Sequence, residues 1–93
     1  MEEKSVAKFS VGALTITPGA SDRLSEDDVF KAFVRHINGD WGNVDEFVWE
    51  SNDESLESGR RLTSSYIAGN GTKFWIITEA DRSATTIFLP IEY

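Results

Sequence analysis

Only one side chain in this chain can shuttle a proton near neutral pH, His36, and it stands alone. A zinc site or a nucleophile–base–acid triad needs further histidines, cysteines or acids at defined spacing. Here there is no second histidine and no cysteine. His36 therefore reads as a surface histidine near a helix C-terminus, where the dipole favours a cation. The 16 acids offer a second chemistry, a magnesium site or an acid–base carboxylate pair. Yet no DxD or ExK pattern falls at a strand end, and no glycine-rich phosphate loop precedes a helix. Catalytic carboxylates are few and partly buried, whereas these are many and interleaved with polar residues. The sequence thus assigns no catalytic residue, no metal ligand and no cofactor, and the expectation is a protein that is not an enzyme. Asp81-Arg82 reads as an Asx-type turn with an arginine nearby, with a recognition loop as the sharper alternative.

The distribution of charge says more than its total of −7. Asp40, Asp45, Glu46, Glu50, Asp53, Glu54 and Glu57 are seven acids with no base among them, and the other nine acids are balanced by nine bases. Such a segment is unsuited to binding nucleic acid or an anionic membrane directly, since phosphate recognition needs basic side chains. Its plain reading is a solvated helix face. Its functional reading is a surface that imitates phosphates. Seven carboxylates over 18 helical residues give one charge per ~4 Å, near the 3.4 Å of a single DNA strand. The partner would be a basic nucleic-acid-binding protein. Trp41, Phe47 and Trp49 lie among these acids and would add aromatic anchors. The alternative use of those three aromatics is a protein-interaction or homodimerisation module.

The elements that position these residues centre on KFWIITEADRSATTIFL, Lys73 to Leu89. Phe74 and Ile76 alternate with Trp75 and Ile77, so the Lys73–Glu79 strand carries apolar residues on both faces and needs cover on both. Ala80–Ser83 turns the chain into a last strand, Thr85–Leu89, closed by Pro90. Upstream, Gly69-Asn70-Gly71 is a hairpin turn after an Arg61–Ile67 strand. Lys8–Thr17 reads as a strand with a bulge or edge position at Gly12, ended by Pro18-Gly19. Ser25 caps a helix that presents Val29, Phe30, Phe33, Val34 and Ile37 on one face and stops at Gly39. Asn43 and Glu46 suggest a capping box for a second helix ending at Gly59. In it Val44, Phe47, Val48 and Leu56 share an apolar arc with Trp49 at its edge, and the acids line the rest. The polar run SNDES predicts that this helix is short or broken. The fold class that follows is α+β, a mainly antiparallel sheet of about four strands with two helices on one face, in the order β-α-α-β-β-β.

A chain of 93 residues that is 40% apolar makes a single small domain, 1–93, and Met1–Ser5 reads as a frayed end. No segment reaches the ~18–20 apolar residues of a membrane span, and MEEKSVAK has no apolar signal core. A cytoplasmic location is the expectation.

Several blocks carry a resemblance: TPGA (Thr17–Ala20), RHINGDWG (Arg35–Gly42), ND (Asn52, Asp53), GRRLTSSY (Gly59–Tyr66) and GTKFWIITEADRSATTIFLPIEY (Gly71–Tyr93). Over roughly residues 14–93 the chain resembles a family of small bacterial proteins carried on plasmids, integrative elements and prophages. WIITEADRSATT is the most specific string. The resemblance implies an accessory role in a mobile element and no activity that transfers residue by residue. Where that family is acidic and polar, this chain has Phe47, Val48 and Trp49 within Asn43–Glu50. From resemblance and charge together the expected function is inhibition of a host nucleic-acid defence, of anti-CRISPR or anti-restriction type.

Overall fold

The computed structural model describes residues 7–93, so the expectation for Met1–Ser5 lies outside the described residues. The meander forms as its turns dictate. Strands β2 (Leu62–Ile67), β3 (Lys73–Thr78) and β4 (Ala84–Phe88) are antiparallel, with Tyr66 opposite Phe74 and Ile76 opposite Ile87. The first strand, β1 (Ala13–Ile16), runs parallel to β4, giving a sheet order of β1-β4-β3-β2. The class is α+β with a mostly antiparallel sheet. β1 is much shorter than Lys8–Thr17. Gly12 has a φ of +65°, and a Cβ there would meet the Ser83 carbonyl carbon at 2.2 Å. Gly12 is therefore a turn pressed against the β3–β4 connection, and the strand starts only after it. Upstream, Phe9 packs edge-on against His36 and stacks on Trp41.

The described residues form three α-helices, not two. Thr17 and Pro18 begin one where a turn was expected: α1 (Pro18–Arg23) is capped by the Thr17 hydroxyl, which accepts from Ala20 N at 3.2 Å. Proline's fixed φ and missing N–H suit the first helical position as well as they suit a turn. α2 (Glu26–Ile37) has the expected Ser25 cap, with Asp28 N donating to Ser25 Oγ at 3.0 Å. α3 (Glu46–Ser58) is continuous through SNDES and ends at Gly59, φ +79°. Its cap is Asp45, which accepts from Val48 N at 2.8 Å. Asn43 instead gives its backbone N–H to Ser65 O.

One face of the sheet meets α1 and α2 through a core that includes Ala20, Leu24, Ala32, Tyr66, Phe74, Ile76, Ile87 and Leu89. On the other face Trp75 and Phe88 are covered by the C-terminal segment. Tyr93 stacks on Phe88 at 5.5 Å and meets Trp75 edge-on at 5.6 Å. Glu92 holds that segment down, accepting from Thr17 Oγ1 at 2.6 Å, Gly19 N at 3.1 Å and Leu89 N at 2.9 Å. The two-sided apolar pattern of β3 thus has its two covers, one helical and one aromatic.

α3 packs along the β2 edge. The Asn52 amide donates to Thr63 O at 2.7 Å and accepts from Thr63 N at 3.1 Å, as a neighbouring strand would. Ser65, the next outward-facing residue, pairs with Trp41 O and Asn43 N. This edge is closed. No helix among the described residues is long and apolar enough to cross a membrane.

Candidate functional site

α3 carries the acidic segment, and its orientation follows from two polar residues. Asn52 and Ser55 are its buried side chains, facing the β2 edge, with Val48 half-buried beside them. At ~100° per residue, Glu46, Glu50 and Glu57 fall on the opposite side and Glu54 next to them. All four are exposed, and none has an ion pair or side-chain hydrogen bond among the described residues. They form one stripe spanning ~16 Å, with a charge every ~5.5 Å.

The other three acids of the segment are engaged. Asp40 accepts two bonds from the Arg35 guanidinium, from Nε at 2.8 Å and Nη2 at 3.2 Å, and that arginine holds its carboxyl below the usual carboxylate range. Asp45 is the α3 cap. Asp53 accepts from Trp41 Nε1 at 2.9 Å. Trp41 is itself completely buried, so it is a core residue and presents nothing to a partner. Trp49 is half-buried. Phe47 leaves the apolar arc expected of it: it is 79% exposed and lines a shallow open pocket of about 200 Å³ with Glu50, Ser51, Glu54 and Arg60. The surface that remains is one acidic stripe flanked by one aromatic ring.

His36 is not on the surface. It is fully buried, with Nδ1 2.6 Å from Ser64 Oγ and Nε2 2.9 Å from Thr78 Oγ1. The rest of the chain of hydroxyls fixes its tautomer. Thr85 Oγ1 donates to Val11 O at 2.8 Å, so its 2.7 Å bond with Thr78 must be accepted from Thr78. Thr78 then has only lone pairs left for His36, which must donate from Nε2. Nδ1 is left to accept from Ser64. Burial and the nearby Arg82 charge push the imidazole's pKa down to about 3. Ser64 and His36 have the atoms of a nucleophile and a base, but both are sealed from solvent. His36 lies in the last turn of α2, where a surface histidine is expected, and spacing along the chain does not reveal its polar partners in two different strands.

The Glu79–Ser83 turn has a structural part. Asp81 accepts from Ser83 N in an Asx turn. Arg82 takes a left-handed φ of +61°, and its guanidinium donates to Ser55 O at 2.8 Å and Arg60 O at 2.7 Å, with weaker bonds to Glu79 O and Ala80 O. It satisfies carbonyls at and beyond the end of α3.

No group of three or more histidines, cysteines or acids is placed to hold a metal ion among the described residues. Comparison with protein-family models, curated proteins and solved structures gives no match.

Proposed function

We propose that this protein is a non-enzymatic accessory protein of a mobile genetic element that occupies the nucleic-acid groove of a basic host defence protein. Inhibition of anti-CRISPR or anti-restriction type is the activity this implies. The observation that carries the reading is the α3 stripe: four exposed carboxylates on one face of a helix, with no partner among the described residues. Had these acids been needed for the fold, they would be paired as Asp40, Asp45 and Asp53 are. The stripe is sparser than a DNA strand's one charge per ~3.4 Å but one-sided, which suits a cleft lined with lysine and arginine. Phe47 adds an exposed aromatic anchor at its flank. The resemblance to element-borne proteins supplies the biological setting. The homodimer built on Trp41, Phe47 and Trp49 loses its first member to the core.

The test is capture from bacterial lysate with tagged wild type and with a Glu46→Gln/Glu50→Gln/Glu54→Gln/Glu57→Gln variant. The expected result is recovery of a nucleic-acid-binding protein that duplex DNA or RNA displaces, that the variant does not retain, and that raised salt releases. Equal recovery by the folded variant, or recovery indifferent to nucleic acid, overturns the reading.

A further inference from the structure

The two edges of the sheet are treated differently. β2 is closed by Asn52, Trp41 and Asn43, as described above. Among the described residues β1 pairs only with β4: Ala13 N donates to Ser83 O and Thr17 N to Ile87 O, both at 3.0 Å. In a parallel ladder the intervening residues turn their backbone groups the other way. The N–H and C=O groups of Leu14 and Ile16 therefore face outward, with no strand beside them among the described residues.

Natural proteins blunt such an edge with charge or proline within the strand. This one does neither. From Ser10 to Ser21 there is no charged residue, in a chain that is 27% charged. Leu14 (48% exposed), Ile16 (39%) and Phe30 of α2 (66%) instead line an open, mainly apolar groove of about 290 Å³ with Leu24, Val29 and Phe33, rimmed by Ser21 and Glu26.

We infer that β1 is a self-pairing edge: two copies join antiparallel through β1, with Thr15 opposite Thr15 on the two-fold axis. The register is self-complementary. Leu14 then lies opposite Ile16 of the other copy, and each pair exchanges both N–H···O=C bonds using the groups left open. Leu14 and Ile16 of both copies fall on the groove face, where each Phe30 can close over them. The two Thr15 side chains meet on the opposite face, a favourable cross-strand pair.

Charge also selects a second copy as occupant. Two bodies of charge −7 repel overall, and β1 lets them meet through an uncharged strand, with Glu26 the one acid that lines the groove beside it. Three partly exposed apolar side chains per copy fall well short of the ~800 Å² per partner of a standard interface, so the dimer is weak and concentration-dependent. It leaves α3 free. The two acidic stripes would lie beyond the outer strands of a continuous sheet, more than ~34 Å apart. The inference does not depend on the proposed function.

The test is sedimentation equilibrium from ~10 μM to ~1 mM protein, a range that covers weak dimers. Mass should rise from 10.4 kDa toward twice that value, and more readily at high salt, which screens the like charges. Leu14→Lys, at a half-exposed position that the fold tolerates, should hold the protein monomeric, while Phe47→Lys should not. Because the chain has no cysteine, Thr15→Cys gives a direct readout. Opposed Cβ atoms ~4.5–5.5 Å apart should form an intermolecular disulfide on mild oxidation, and Phe47→Cys under the same conditions should not. A constant 10.4 kDa across the range, or a dimer that Leu14→Lys leaves intact, overturns the inference. So does a dimer abolished by Phe47→Lys.

Discussion

Lowering the pH from 7 to 5 should destabilise this protein through His36 alone. The imidazole is uncharged in the fold, with a pKa of about 3, and titrates near 6.5 when the chain unfolds. Between those values the unfolded state binds a proton that the folded state refuses. The sign follows: stability is complete above pH ~6.5 and is lost as pH falls toward 3, at up to ~1.4 kcal/mol per pH unit. From pH 7 to 5 the loss is about 2 kcal/mol, a large part of the 5–15 kcal/mol typical of a small domain. The window isolates the histidine, because carboxylates with ordinary unfolded values near 4 contribute mostly below pH 5. The structural cause is specific. A protonated His36 would carry an N–H at Nδ1, facing a serine hydroxyl already directed at it, while Nε2 and the two threonines keep their order. Urea unfolding at several pH values measures the loss, and His36→Gln should be less stable at pH 7 but flat from 7 to 5. Nitrogen NMR at pH 5.5 should show a neutral ring protonated at Nε2. A wild-type stability that is flat over this window, or a histidine midpoint near 6.5 in the folded protein, would refute the argument.

Asn52→Ala removes both partners of Thr63 at the β2 edge and should cost ~2–3 kcal/mol, read by urea unfolding, with faster hydrogen exchange at the Thr63 amide. If the exchange rate is unchanged, α3 does not close that edge. Gly12→Ala places a side chain at φ +65° against the Ser83 carbonyl and should lower the melting temperature by about 10 °C, given ~4–8 °C per kcal/mol for a domain of this size. A change of less than ~2 °C would mean that the approach to the β3–β4 turn relaxes freely.

Local chemistry determined a good deal here. Turn residues, alternation and helix signals placed the meander, the second helix with its Ser25 cap, and the third helix with its Gly59 end, because each depends on residues a few positions apart. The charge-rich segment was equally plain in the chain, and so was the need of β3 for cover on both faces. Tertiary structure decided what those features touch. Thr17-Pro18 could begin a helix or end a strand, and only the Glu92 carboxylate and the packing of Ala20 make it a helix. α3 has both an apolar arc and two buried polar residues, and the open backbone of Thr63 drew Asn52 inward, turning Phe47 out. His36 found hydroxyls 28 and 42 residues away, and Trp41 found Asp53. Spacing along a chain reports which side chains share a face. Which backbone groups stand open to receive them depends on how the strands are ordered, and that is settled only when the sheet closes.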